Sequence, residues 1–187
     1  MKKVVLLGDS IRMIGYGKPV EQALSGDFEV WQPSDNCRYA TYTLRGLFDW
    51  KREMEQTDII HWNNGLWDVC DLLGDGTFTP IDVYVESMVR IAKLMLQRAK
   101  VVIFATTTPV REGHRHNRNA DIRAFNDALV PRLRELGVQI NDLYTPVAAD
   151  IPRYICDDMI HLSEEGIALC TQQVERAVRT AAEELKQ

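Results

Sequence analysis

Ser10 lies just after a short apolar run, Val4–Leu7, and a single glycine, Gly8. The run is rich in β-branched residues and lacks polar alternation, which predicts a strand buried on both faces of a parallel sheet. Asp9 and Ser10 then fall at the carboxyl end of that strand, the edge where open α/β sheets bind their ligands. A serine there is a candidate nucleophile. Gly-Asp-Ser is also an ordinary turn sequence, so the assignment depends on a base, an acid and oxyanion donors elsewhere.

An acid and a base are spaced suitably near the other end of the chain. Asp158 and His161 are three positions apart, which places them on the same side of one turn. The carboxylate can then accept a hydrogen bond from one imidazole nitrogen and leave the other nitrogen to take a proton from a serine. Asp157 is a rival for the orienting acid, one position away. The same residues also fit a loop acid and a surface histidine before a helix.

A pair of asparagines follows another apolar segment that we predict to be a strand, residues 58–62. Asn63 and Asn64 would therefore lie on the same carboxyl edge as Ser10. A side-chain amide at that edge can donate to the oxyanion of a tetrahedral intermediate. The alternative is a plain Asn-Gly turn, which needs no function.

Strands and helices alternate along the chain. We predict strands at 4–7, 28–31, 58–62, 101–105 and 138–143, and helices at 19–24 and 41–54, from 79 onwards, after Asn119 and after Ser163. Pro131 is expected to kink or split its helix. Segments 12–17 and 71–79 are predicted loops, and 153–162 is predicted to be irregular. This alternation indicates βαβ units in a three-layer α/β/α sandwich, with one domain over residues 1–187.

The composition excludes several classes of protein. The 187 residues are 45% hydrophobic and 26% charged with a net charge of −5, which gives no sign of a nucleic-acid partner. No apolar run approaches the roughly 18 residues that cross a bilayer, and the start is too short for a signal-peptide core. The four cysteines form no CxxC pair, and His114-x-His116 has no further ligand at metal spacing. We therefore expect a cytoplasmic protein with reduced thiols, no metal and no membrane partner; the oligomeric state is not indicated.

Taken together, Gly8-Asp9-Ser10, Asn64 and Asp158-x-x-His161 resemble the SGNH (GDSL-type) hydrolase family in order, spacing and placement after strands. The resemblance spans essentially the whole chain, and residues 162–166 look like the family's continuation after its histidine. It implies a flavodoxin-like five-stranded parallel sheet of order 2-1-3-4-5 and a serine esterase or related acyl hydrolase. Ser10 would be the nucleophile, His161 the base and Asp158 the orienting acid, with no metal or organic cofactor.

The resemblance also implies an oxyanion hole made by the Ser10 N–H, an asparagine amide and a backbone N–H from the family's second motif block. The third block is usually Gly-x-Asn-Asp, whereas residues 62–65 read Trp-Asn-Asn-Gly; Asn64 is the best match, with Asn63 in reserve. The second block normally contains a glycine, but residues 35–41 contain none. A backbone N–H of Cys37 or Arg38 is expected to serve instead.

The sequence contains no obvious long apolar lid of the kind that a lipase uses at a lipid surface, which favours a small ester substrate with a short acyl group, acetylated carbohydrates among the candidates. We expect Asp9, Arg12, Asn63 and Trp67 to face the substrate, and the loop 111–118 either meets an anionic group or is simply solvated. Two alternatives stay open. One is an O-acyltransferase with the same triad, and the other is a catalytically decayed small-ligand binder on the same fold.

Overall fold

A five-stranded parallel sheet forms the centre of the molecule, seen in a computed structural model that describes residues 1–186. The strands are β1 (Lys2–Leu7), β2 (Phe28–Trp31), β3 (Thr57–Trp62), β4 (Ala99–Ala105) and β5 (Gln139–Asn141). Their order is β2-β1-β3-β4-β5, and every neighbouring pair is parallel. The order implied by the family resemblance is therefore confirmed.

Helices flank the sheet in two layers. A π-helical turn (Ile11–Tyr16) leads into α1 (Gly17–Leu24), followed by α2 (Ala40–Asp49), α3 (Ile81–Leu96), α4 (Asn119–Glu135), α5 (Tyr144–Ala148), α6 (Ile151–Tyr154) and α7 (Glu164–Glu184). Helix α1 packs against α7, and α3 packs between α2 and α4. The predicted three-layer α/β/α architecture is confirmed. Within residues 1–186, none of these helices combines the length and apolarity needed to cross a membrane.

The sheet brings the ends of β1 and β3 to one edge. Val4–Leu7 are completely buried, as expected for a strand covered by helices on both faces. Beside this edge, Ser163 begins α7 by accepting a hydrogen bond from the Gly166 N–H at 3.1 Å. The residues just after β1, just after β3 and just before α7 are therefore the ones that the fold can bring together.

Residues 12–17 are helical, so the predicted loop there is wrong. Asp9 starts the helical turn, because its Oδ1 accepts the Ile11 N–H and its carbonyl oxygen accepts the Met13 N–H, both at 2.9 Å. Gly15 interrupts the regular backbone with φ −106° and ψ −112°. The two glycines at 15 and 17 obscure the apolar periodicity by which a helix is recognised from sequence.

Three further features of the helices differ from the predictions. Helix α2 ends at Asp49 rather than at residue 54, and the indole of Trp50 folds back against Gly46, where an added Cβ would lie 2.3 Å from the ring. Helix α4 runs through Pro131 without a break. The carbonyl that loses its partner there belongs to Asp127, an exposed residue, so water can satisfy it. A short helix, α6, overlaps the start of the segment predicted to be irregular.

Candidate active site

Gly8 allows the chain to turn closely between β1 and Ser10. A Cβ at Gly8 would lie 2.0 Å from Asn63 Oδ1 and 2.8 Å from Arg12 Cβ, so no side chain fits there without displacing both residues. Ser10 is consequently presented at the sheet edge with its hydroxyl partly exposed.

Ser10, His161 and Asp158 form a continuous hydrogen-bonded chain. Ser10 Oγ lies 2.9 Å from His161 Nε2, and His161 Nδ1 lies 2.6 Å from Asp158 Oδ2. A carboxylate can only accept, so Nδ1 carries the hydrogen and Nε2 presents its lone pair to the serine hydroxyl. This is the tautomer that a general base for serine requires.

The carboxylate of Asp158 is held by several donors. Its Oδ1 accepts hydrogen bonds from the backbone N–H groups of Ile160 (3.0 Å) and His161 (2.9 Å) and from the Cys156 thiol (3.0 Å). Partial burial acts to raise the pKa of Asp158, but these hydrogen bonds and the one from the His161 ring outweigh it and lower the pKa well below its usual range. Asp158 is therefore ionised throughout the neutral pH range.

Asp157, the rival acid, points away from His161. Its side chain is fully exposed and pairs with Arg111 Nη1 at 2.9 Å. Of the two aspartates, Asp158 makes the contact to His161.

Arg111 anchors the loop that carries Asp158 and His161. Its guanidinium donates to the carbonyl oxygens of Ile155 (2.8 and 2.6 Å) and Pro152 (3.1 Å), and its backbone N–H donates to Met159 O at 2.9 Å. The alternative in which this arginine meets an anionic substrate is therefore not supported, because its donors are already engaged. These backbone partners lie more than 40 positions away, and no sequence pattern indicates them.

Asp9 and Asn63 are buried beneath the site and do not face a substrate. Asn63 Nδ2 donates to Asp9 Oδ1, and Asn63 Oδ1 accepts from the Tyr16 hydroxyl, both at 2.8 Å. Asp9 is completely buried and Asn63 nearly so. Burial raises the pKa of Asp9, although Asn63 and the Ile11 N–H oppose the shift. The expected substrate contacts of Asp9 and Asn63 are wrong: the two residues support the turn that presents Ser10.

Arg12 is also buried, and its substrate-facing role is wrong. Its guanidinium donates to the carbonyl oxygens of Gly8 (3.1 Å), Pro33 (2.8 Å) and Asp35 (2.7 Å). These bonds tie the loop after β2 to the end of β1. A buried guanidinium with several carbonyl partners is a structural clamp.

Asn64 lies at the end of β3 with its side chain fixed. Its Oδ1 accepts from Thr43 Oγ1 (2.9 Å) and Trp62 Nε1 (3.0 Å), and its Nδ2 donates to Arg38 O at 2.7 Å. An amide nitrogen carries two hydrogens. Asn64 is completely buried, and within residues 1–186 the second hydrogen has no acceptor.

Arg38 takes the backbone conformation that favours glycine, with φ +47°. The Arg38 N–H donates at 2.8 Å to Oδ1 of Asn36, a residue that lines the cleft. The Cys37 N–H instead donates to the backbone carbonyl of Gly8 at 3.1 Å. The expectation that Cys37 supplies an oxyanion donor is therefore wrong, because its N–H is held inside the fold.

An open cleft of about 480 Å³ contains Ser10 and His161 at its wall. Trp67 lines it with 40% of its surface exposed, which is where a substrate-facing residue is expected. The remaining lining is mostly apolar and consists of Met13, Ile14, Asn36, Leu66, Cys70, Leu72, His114, His116, Asn117 and Ile160. Sequence reasoning missed the apolar lining residues, since they follow the same pattern as core residues.

The solved structures compared with this chain share its fold. No protein-family model and no curated protein matches the sequence. By its sheet order and the placement of its serine, histidine and asparagine, the chain has the fold of the SGNH (GDSL-type) hydrolases.

Three of these structures illustrate the likeness. A lipase/acylhydrolase from Enterococcus faecalis is 18% identical with a TM-score of 0.79, and the match covers 96% of each chain. An acetyl xylan esterase is 19% identical with a TM-score of 0.78, covering 94% of this chain and 99% of that one. A GDSL-like lipase from Bacteroides thetaiotaomicron is 18% identical with a TM-score of 0.76, covering 96% and 89%. At these identities the likeness establishes the fold.

Proposed function

We propose that this chain is a carboxylic ester hydrolase that cleaves esters of short acyl groups, acetylated carbohydrates among them. The observation that carries the proposal is the contact of Ser10 Oγ with His161 Nε2, completed by Asp158, at the binding edge of the sheet. A decayed binder would have no need to keep these two contacts. The likeness to an acetyl xylan esterase and the exposed indole of Trp67, on which a sugar ring can stack, support the choice of substrate.

In the proposed reaction, His161 Nε2 takes the proton of Ser10 while Oγ attacks the ester carbonyl. Asp158 keeps the hydrogen on Nδ1 and stabilises the imidazolium that forms. His161 then gives its proton to the leaving alcohol, which leaves an acyl group on Ser10. Water, deprotonated by the same imidazole, attacks the acyl-enzyme and releases the acid.

The oxyanion would be held by the Ser10 N–H, the unpaired N–H of Asn64 Nδ2 and the Arg38 N–H. Asn36 Oδ1 occupies the Arg38 N–H in the free protein, and the substrate oxygen takes its place. Donors that meet the oxyanion and not the ground-state ester lower the barrier to acyl transfer.

A series of chromogenic esters from acetate to palmitate tests this proposal. We expect kcat/KM to be highest for the shortest acyl groups and to vanish in the Ser10→Ala variant. No hydrolysis of any ester by folded protein would overturn the assignment as a hydrolase, and a maximum at palmitate would overturn the acyl length. Repeating the reaction with a sugar acceptor, and measuring free acid against acylated sugar, separates hydrolysis from acyl transfer.

A further inference from the structure

Two histidines outside the triad line the same cleft, and contacts within their loop fix the role of each ring's Nδ1. His114 Nδ1 accepts the backbone N–H groups of His116 (3.3 Å) and Asn117 (3.0 Å). A nitrogen that accepts two N–H groups carries the lone pair, so the hydrogen of the neutral ring is on Nε2. Burial, followed by the neighbouring His116, lowers the pKa of His114, which keeps this ring neutral at pH 7.

His116 has the opposite tautomer when it is neutral. Its Nδ1 lies 2.9 Å from the carbonyl oxygen of Asp71, which can only accept, so Nδ1 carries the hydrogen and Nε2 the lone pair. The two ring centroids are 6.4 Å apart. In the part of the chain that the structure describes, neither Nε2 has a hydrogen-bond partner. With His116 in its neutral form, the cleft wall therefore offers one hydrogen-bond donor and one acceptor.

We propose that His114 and His116 bind hydroxyl groups of the ester substrate and so determine its selectivity. A hydroxyl both donates and accepts, so it suits a donor and an acceptor placed together. The inference rests on the proposed ester hydrolysis at Ser10 and specifies the chemistry of the substrate around the ester.

An anionic group is the less suitable ligand for this wall. Arg111 is occupied by carbonyl oxygens and by Asp157. Arg118 has carboxylates of Asp71 and Asp121 at 3.8 Å, which offset its charge. The His116 ring in its neutral form presents a lone pair, which repels a carboxylate, so the wall favours an uncharged hydroxyl. In residues 1–186, no three His, Cys, Asp or Glu side chains come together in a group that could hold a metal ion.

Two substitutions remove the Nε2 atoms and retain the contacts within the loop. His114→Asn keeps a side-chain oxygen to accept the backbone N–H groups and loses the Nε2 donor. His116→Asn keeps an N–H donor for the carbonyl of Asp71 and loses the Nε2 acceptor. Arg115→Ala, an exposed position between them, is the matched control.

The test compares kcat/KM for esters that differ only in a hydroxyl. One arm pairs glycerol 1-butyrate with propyl butyrate, and the other pairs ethyl 3-hydroxybutyrate with ethyl butyrate. We expect the wild type to prefer the hydroxylated ester in at least one arm, which tells whether the alcohol or the acyl side lies against the histidines. His114→Asn and His116→Asn should each reduce that preference by about 3- to 10-fold, as for the loss of one neutral hydrogen bond, and Arg115→Ala should not.

No preference in either arm, or a preference that both asparagine variants retain, overturns the inference. Circular dichroism verifies folding, and His116→Asn alone decides the question if His114→Asn does not fold. Hydrolysis of propyl butyrate by the wild type, lost in Ser10→Ala, tests the proposed function separately. If that hydrolysis is absent, the proposed function fails first and the inference fails with it.

Discussion

Replacing Asp158 with asparagine should change the tautomer of His161 without changing the shape of the loop. Asp158 Oδ1 accepts the backbone N–H groups of Ile160 and His161, so the amide oxygen of the introduced asparagine will take that position. The amide NH₂ must then occupy the position of Oδ2, which lies 2.6 Å from His161 Nδ1. Two donors cannot face each other, so the ring hydrogen moves to Nε2.

With its hydrogen on Nε2, His161 cannot accept the proton of Ser10. We expect Asp158→Asn to lower kcat by about 10⁴-fold, the loss that a wrong tautomer causes in a serine triad, with little change in the melting temperature. Asp157→Asn is the matched control. It removes only the contact of a fully exposed side chain with Arg111 and should leave kcat nearly intact.

The assay is steady-state hydrolysis of p-nitrophenyl acetate by both variants, with thermal unfolding measured in parallel. A loss smaller than tenfold in folded Asp158→Asn protein would refute the tautomer argument. An equal or larger loss in Asp157→Asn would assign the acid to the neighbouring residue.

Three further predictions concern Asn64, Cys156 and Asp68. Asn64→Ala should lower kcat by roughly 10²–10³-fold with KM nearly unchanged. Asn63→Ala removes the buried hydrogen bonds to Asp9 and Tyr16 and should reduce stability more than kcat. The reverse pattern would place the oxyanion donor at residue 63. Cys156→Ala removes a donor to Asp158 Oδ1 and should lower kcat by about 3- to 10-fold, and Cys156→Ser should restore kcat. Equal activity of the wild type and both variants would show that the thiol does not contribute. Burial raises the pKa of Asp68 to about 7. Between about pH 4 and 7 the Asp68 carboxyl is therefore ionised in the unfolded chain but still protonated in the native state. Because the native state binds the extra proton, the free energy of unfolding falls by up to about 4 kcal/mol as the pH rises. Urea unfolding at pH 4.5 and 7.5 should show this fall in the wild type and a smaller fall in Asp68→Asn. An equal fall in the two proteins would contradict the assignment to Asp68.

The elements that repeat one simple pattern could be predicted from the sequence. The uniformly apolar runs before Ser10 and at 101–105 are buried strands, and their carboxyl ends determine where the site lies. The spacing of Asp158 and His161 allowed one turn to bring both residues together. These features are local, and a strand or a single turn is enough to produce them.

The buried polar contacts could not be predicted, since they depend on residues far apart in the chain. The sequence predicts that Arg12 faces the substrate, whereas in the fold its guanidinium donates to two carbonyl oxygens of the loop after β2. Asn63 and Asn64 are adjacent in sequence, yet Asn63 donates to the buried Asp9 carboxylate and Asn64 donates to the carbonyl oxygen of Arg38. Arg38 has a positive φ of 47°, a conformation that glycine adopts most easily, and no residue type in the sequence signals it.

Covalent labelling of Ser10 tests the central claim most directly. The folded protein is treated with a fluorophosphonate probe, digested and mapped by mass spectrometry, with His161→Ala and Ser10→Ala as controls. The account predicts one adduct, on Ser10, that is greatly reduced in His161→Ala and absent in Ser10→Ala. An adduct on another serine, or no adduct on the folded wild-type protein, would contradict it.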